Sequence, residues 1–399
     1  MHSRMIGRRS FLASTAALGA LAFGGGTTGC APSSRARSTA ATTGGLPLTA
    51  VNRTGRYADA SIHMYVVGVD PATGAQGHVT ADGAFVPCTA SDNGPGGFTD
   101  YAIPFRDSGE ATVVLPKMSG RVYFSIGDRL RLKVVTDGNG RPALQYPAGW
   151  VGADPNYRIL HDWIEFTHND AGMFCNTTMV DMFSVPLAIR LAGTRTRTTG
   201  TLVDGGRDRI FAAVAARPEF ARLVVGDRLR VIAPGHGVEA GLFPADYYDS
   251  YIDAVWNEYR RTPLTVRTDA GTYTGTVTGE RLSFTGGART PASIARPSTR
   301  DVLFCDGALA APNDGVTGPV AAILGAAFNR STLLSEPRQP AADPARYYRV
   351  PVTNHYARAM HQASADGAAY GFAFDDVAGH ASYIQDEAPT SVTVTLTPF

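Results

Sequence analysis

Hydrophobic and polar positions alternate with period two over much of the chain, the signature of strands with one buried face. "SIHMYVVGVD", "ATVVLPK", "GRVYFSIGD" and "RLRLKVVTDGNG" predict strands in residues 47–150. Asp137-Gly138 and Asn139-Gly140 mark a tight hairpin turn after the last of them. Two segments change period. "DRIFAAVAARPEF" sets Ile210, Phe211 and Val214 on one helical face, ended or kinked at Pro218. "ADYYDSYIDAVWNEYRR" stripes Tyr248, Tyr251, Ile252, Val255, Trp256 and Tyr259 along a second helix. "TPLTVRT", "GTYTGTVTG" and "RLSFTGG" return to strand pattern. "GVTGPVAAILGAAFNRST" reads as a buried, Ala-rich helix with Pro319 near its first turn. The last segment, "AAYGFAFDDVAGHASYIQDEAPTSVTVTLTPF", reads as strand-rich, and "SVTVTLT" alternates strictly. Strands, then mixed elements, then strands predict a β-sandwich or barrel built from both chain ends, with an α/β part between.

Composition agrees. Of 399 residues, 44% are hydrophobic and 18% charged, and there are 44 Gly and 25 Pro, which suits strands and turns. The first thirty residues hold Arg4, Arg8 and Arg9 and no acid; without them 33 basic residues face 35 acidic, a net of −2. No polyanionic partner such as nucleic acid is expected. "GRRSFLASTAALGALAFGGG" predicts an export segment over residues 1–30, with Arg8-Arg9 similar to a twin-arginine signal. "TTGCAPSS" resembles a weak lipobox that makes Cys30 a candidate for lipidation, the alternative being a plain cleaved signal peptide. Residues 31–46 read as a small-polar linker. Cys88, Cys175 and Cys305 remain, enough for at most one internal disulfide and without a CxxC.

The chemistry concentrates in "DWIEFTHNDAGMFCNTTMVDMFSVPLAI", residues 162–189. As a strand, its start puts Ile164, Phe166 and His168 on one face and Trp163, Glu165, Thr167 and Asn169 on the other. The second face mixes an aromatic ring, a carboxylate and hydrogen-bonding groups, which suits a sugar surface. Asp181 lies on a following strand or strand end, and two carboxylates across a cleft are the equipment for cleaving a glycosidic bond. Spacing alone does not separate that reading from a solvated strand face with a structural Asp. Asp375-Asp376 reads as a turn cap paired with a nearby Arg, the alternative being acids that line the same groove, and "PGHGVEAG" around His236 as a plain turn, the alternative being a loop that borders the cleft. His355 and His361 do not suit a shared metal site, and no metal or cofactor motif is present.

"IEFTHNDAGMFCNTTMVDMFSVPLAIRL" resembles the signature of glycoside hydrolase family 64, bacterial endo-β-1,3-glucanases that release laminarioligosaccharides, typically the pentamer. "SGRVYFSIGDRLRLKVV", "FCDGALAAPNDGVTGPVAAILGAAFNRSTL" and the segment from "TNHYARAMHQ" to the C-terminus extend the resemblance over roughly residues 47–399. It implies a thaumatin-like β domain (47–200 and 345–399) beside a mixed α/β domain (201–344), with a wide groove between. It further implies that Glu165 is the general acid and Asp181 the general base of an inverting reaction. Trp163, Thr167, Asn169, Phe174 and Thr178 would then serve the sugar subsites; Phe174 stands where the family pattern has Trp. Such a protein hydrolyses linear β-1,3-glucan, needs no cofactor and acts as a monomer in the extracellular space or cell envelope, anchored to the outer membrane face if Cys30 is lipidated. The alternative is a non-catalytic glucan- or wall-binding protein on the same fold. The apolar neighbours of Asp181 argue for the opposite assignment of acid and base, because burial raises a carboxylate's proton affinity.

Overall fold

The computed structural model describes residues 45–399. The export segment, Cys30 and most of the 31–46 linker lie outside them. Two open sheets share one apolar core. The smaller runs, in spatial order, Thr196–Thr199, Leu187–Ala192, Ser391–Leu396, Leu46–Asn52, Glu110–Leu115. First and last strands of the described chain therefore pair, parallel, with Leu48 opposite Val392 and Leu396 opposite Asn52. Strict alternation explains their place. Val392, Val394 and Leu396 point inward with Leu48, Ala50, Val113 and Ile189, while the intervening threonines face out.

The larger sheet centres on Ile62–Val69, Met118–Ile126, Leu160–Asn169 and Gly172–Asn176, edged by Tyr383–Asp386 on one side. Its inner face supplies Met64, Val66, Val122, Phe124, Ile164, Phe166 and Cys175 to the shared core. Its outer face is not simply solvated. Tyr65, Val67, Tyr123 and Trp163 there bury against Leu130, Leu132, Leu144 and Met182. The central strands are consequently covered on both sides, which is why "VVGV" and "VYFSI" read as nearly continuous apolar runs. The expected hairpin joins Lys133–Thr136 to Pro142–Gln145.

Six helices are needed below: α1 (Gly206–Ala215), α2 (Pro234–Glu239), α3 (Asp249–Tyr259), α4 (Thr299–Phe304), α5 (Thr317–Asn329) and α6 (His355–Ala363). The apolar stripes expected of α1 and α3 and the buried, Ala-rich helix expected at α5 build a second core: Ile210, Phe211, Val214, Ile252, Val255, Trp256, Val320, Leu324 and Phe328 are all buried in it. A five-stranded sheet around Leu264–Thr268, Gly271–Thr278 and Arg281–Thr285 packs into the same core.

The structure corrects one reading of the sequence and narrows another. Residues 234–239 form a helical turn rather than a plain turn, with Pro234 at its start where the missing N–H costs nothing. Residues 371–379, inside the last segment that reads as strand-rich, are turns, in keeping with the turn cap expected at Asp375-Asp376. There Asp375 and the left-handed Phe374 and Ala378 bend the chain back on itself. Among the described residues no helix is long and apolar enough to cross a membrane. Cys88, Cys175 and Cys305 are free and buried, each in a different cluster.

Candidate active site

Strand pairing on the outer face of the large sheet sets up the site. Glu165 lies opposite Arg121 on one side and Asn176 on the other; Thr167 lies opposite Ser119 and Phe174. Directly opposed residues share a face, so Tyr383, Asn176, Glu165 and Arg121 form one row and Gln385, Phe174, Thr167 and Ser119 the next. Thr167 and Ser119 hydroxyls bond at 2.9 Å.

Arg121 organises the first row. Its Nη2 and Nε both reach Glu165 Oε1, at 3.0 and 3.2 Å, and Nη1 donates to Tyr123 Oη at 2.9 Å. The guanidinium lies over the Trp163 and Tyr146 rings, 5.1 and 5.6 Å from their centroids. Burial works against its charge, but Tyr123, Glu165 and Asp181 outweigh that and hold it more firmly protonated than a free arginine. One cation thus lies within electrostatic reach of both carboxylates.

Asp181 follows a loop held from four directions. Thr177 N–H donates to Ser382 O (3.2 Å) and Met179 N–H to Tyr370 O (2.8 Å). Tyr356 Oη of α6 donates to Met179 O (2.6 Å), and Ala233 N–H to Asp181 O (3.0 Å). The Asp181 side chain is 2% exposed, and its Oδ1 meets His236 Nε2 of α2 at 2.8 Å. The His236 ring stacks on Trp150 (4.6 Å, 21°) and takes Phe304 edge-on.

The other predicted site residues divide. Thr167 and Phe174 share the face of Glu165, as half-buried side chains. Asn169 ends the hairpin, its Oδ1 accepting from Ala171 N–H at 2.9 Å. Thr178 is buried, and its backbone bridges Tyr370. Trp163 corrects the expectation of an exposed stacking ring. It is 1% exposed, with Tyr123, Trp150 and Arg121 against it, and supports the site from beneath. His168 turns to the inner face as expected and bonds Pro116 O.

The neighbouring acids have other work. Asp162 accepts from Trp163, Ser184 and Val185 N–H groups, fixing the chain just beyond Asp181; burial pushes its carboxyl up to about 7. Asp170 is an exposed partner of Lys117. Asp375 is buried with Arg330 and His361. Asp376 faces the other way. Burial and Asp375 raise its carboxyl, and it shares with Glu165 an influence on the Tyr370 hydroxyl. Among the described residues no group of three or more His, Cys, Asp or Glu could hold a metal ion.

A family profile for β-1,3-glucanases of glycoside hydrolase family 64 matches residues 44–396. The chain belongs to glycoside hydrolase family 64. A family relative, the glucan endo-1,3-β-glucosidase of Cellulosimicrobium cellulans, is 36% identical over 372 residues, which is 89% of this chain and 65% of that protein. The chain therefore spans just under two thirds of that relative's length. Among solved family 64 structures, a laminaripentaose-producing β-1,3-glucanase in complex with laminaritetraose superposes with a TM-score of 0.82 at 40% identity. That match covers 90% of this chain and 99% of the other. A β-1,3-glucanase domain from Clostridium beijerinckii gives 0.79 at 29% identity, covering 91% and 100%.

Arg121, Tyr123, Asn176 and His236 are the site residues that the sequence reading missed. Arg121 and Tyr123 carried a signal, since period two places both opposite Val122 and Phe124 in "GRVYFSI". For His236 only the tight loop was legible, because its meeting with Asp181 spans 55 residues.

Proposed function

We propose that the chain is an endo-β-1,3-glucanase that hydrolyses linear β-1,3-glucan to laminarioligosaccharides, chiefly the pentaose, with inversion. The observation that carries this is the single arginine, Arg121, bonded to Glu165 and within electrostatic reach of Asp181, on a face that carries hydroxyl and amide groups. The substrates and products in the names of the structural relatives point the same way. Glu165 is the general acid. Arg121 engages Oε1, which leaves Oε2 to carry the proton to the departing glucosyl oxygen. Asp181 is the general base, taking a proton from the water that attacks the anomeric carbon from the opposite face. Thr167, Asn169, Phe174 and Thr178 serve the subsites, and Trp163 backs Arg121. The fold is of the thaumatin-like kind, with the glucan lying in a groove between the β sandwich and the α/β part. The protein acts outside the cytoplasm as a monomer, exported through the Arg8-Arg9 signal, with Cys30 a lipid anchor if it is retained.

Leaving-group chemistry tests the roles. A β-laminaribiosyl fluoride needs little protonation to leave. Glu165→Gln should hydrolyse it at close to the wild-type rate while losing at least a hundredfold on laminarihexaose. Asp181→Asn should fail on both. The reverse pattern exchanges the roles, and near-normal glucan turnover in either variant defeats the two-carboxylate reading.

A further inference from the structure

His236 is a buried, bonded histidine that the two-carboxylate reaction leaves unused. Its surroundings are specific. The strands Met182–Phe183 and Arg230–Ile232 pair in register, so Asp181 and α2 emerge side by side. Nε2 of His236 lies 2.8 Å from Asp181 Oδ1, and Nδ1 lies 3.6 Å from Glu239 Oε2. Glu239 is itself held by Arg300 of α4, with Oε1 accepting from Nη2 at 2.8 Å and Nε at 3.3 Å. The His236 ring has no room to turn away. Trp150 covers one face, the Phe304 edge closes another side, and Gly235 and Gly237 leave the space that Phe304 and Leu223 fill.

We propose that His236 is the positioning residue of the general base: it fixes the plane of the Asp181 carboxylate by engaging Oδ1 and favours its ionised form, with Glu239 and Arg300 orienting the ring. This rests on Asp181 being the base. A carboxylate only accepts, so Nε2 donates, and a hydrogen bond donated to the charged form stabilises that form. Glu239 completes the line. The neighbouring His236 ring, 3.6 Å away, and then Arg300 hold its carboxyl down to about 2, so it stays an acceptor throughout the working range. Other charged or titratable groups also bear on the pair. Arg121 on the sheet reaches Asp181, and so does Tyr356 of α6. Arg121 acts on Asp181 through its charge and Tyr356, held protonated by burial and the nearby acids, adds none, whereas His236 bonds Oδ1 directly, so the loss of His236 has its own signature.

The test is the pH profile of kcat and kcat/KM on laminarihexaose for the wild type, His236→Ala, His236→Gln and Glu239→Gln. His236→Ala should move the acid limb up by about one to two pH units, the size of one charge-assisted hydrogen bond. On that limb kcat should fall about tenfold to a hundredfold, with KM within about twofold. His236→Gln, whose amide can donate to the same oxygen, should bring the limb most of the way back. Glu239→Gln should shift it by less than His236→Ala. An unmoved acid limb in folded His236→Ala overturns the proposal, as does a loss confined to KM. If the alanine variant does not fold, the two glutamine variants decide: a Glu239→Gln limb at the wild-type position, with His236→Gln indistinguishable from wild type at every pH, overturns it. Asp181→Asn separates the two levels. If it turns over glucan normally, the base assignment fails. If it is dead while His236→Ala keeps the wild-type limb, only the positioning role fails.

Discussion

Arg121 shows how much of a site can rest on one side chain that touches no reacting atom. It is flat, forked and permanently charged. It uses the fork on Glu165 Oε1, a further N–H on Tyr123, and its face on Trp163. Lysine has the charge without the fork and cannot make these contacts together. Arg121→Lys should therefore lower kcat by about tenfold to a hundredfold, the worth of a charge-assisted hydrogen bond expressed only when geometry is correct, and change KM little. Steady-state kinetics on laminarihexaose check this; a rise in KM at unchanged kcat would make Arg121 a binding residue instead. Its place in the strand was legible, because an arginine alternating with Val122 and Phe124 must lie on the other face. That it meets Glu165 was not, since the Arg121–Glu165 pairing joins residues 44 apart.

At the scale of elements, alternation was legible wherever one face is buried and the other wet. Ser391–Leu396 has buried residues at every second position, as its sequence reads. The helices α1 and α3 likewise followed from their apolar stripes, and α5 from its buried, Ala-rich run. What failed was short and bound by a distant partner: α2 has only six residues and is held by Asp181. Side-chain to backbone links have no period either. Asp386 provides the clearest such link. Ending the Tyr383–Asp386 strand, it accepts from the Thr194, Arg195 and Ala388 N–H groups and from the Thr194 hydroxyl. A Cβ on Gly193 would lie 2.3 Å from its Oδ1, so only glycine fits there. These bonds, the Thr194 hydroxyl first, hold the Asp386 carboxyl down to about 2. A depressed folded-state value means stability present above the ordinary carboxylate range and lost as pH falls through about 2. Asp386→Asn should thus melt below the wild type at pH 6, with the gap closing as pH drops towards 2. Melting curves at both pH values check this, and a constant gap would mean that shape rather than charge matters.

For the whole molecule, the decisive contacts join distant parts of the chain. The two ends meet as neighbouring strands, and the second core hands its last helix to the turns behind the site. Arg330, just past α5, is 2% exposed; its Nη2 donates to Asp375 Oδ1 (3.0 Å) and Asp375 O (2.7 Å), and its Nη1 to Val377 O. His361 of α6 meets Asp375 Oδ2 at 2.8 Å, and Gly371 N–H donates to the same oxygen. Three segments converge on one buried carboxylate, and Asp376, its neighbour, faces Tyr370 beside the site. His361 and Arg330 outweigh burial and keep the Asp375 carboxyl below its usual range, so this stability too is present above that range and fades in acid. Asp375→Asn leaves Arg330 as an uncompensated buried charge, which costs about 3–5 kcal/mol. Urea unfolding at neutral pH should show a loss of that size. Replacing both partners with apolar side chains, Asp375→Leu with Arg330→Met, should recover a large part of it, because the isolated charge is what costs most. A double variant that sums the two single losses would instead mean that the pair is worth its full contact energy and that the turns at 371–379 depend on it. The turnover of the folded double variant then separates stability from catalysis, since the side-chain bonds that Asp375 and Arg330 make are to each other, to His361 and to the turns, while those of Glu165 and Asp181 are to Arg121 and His236.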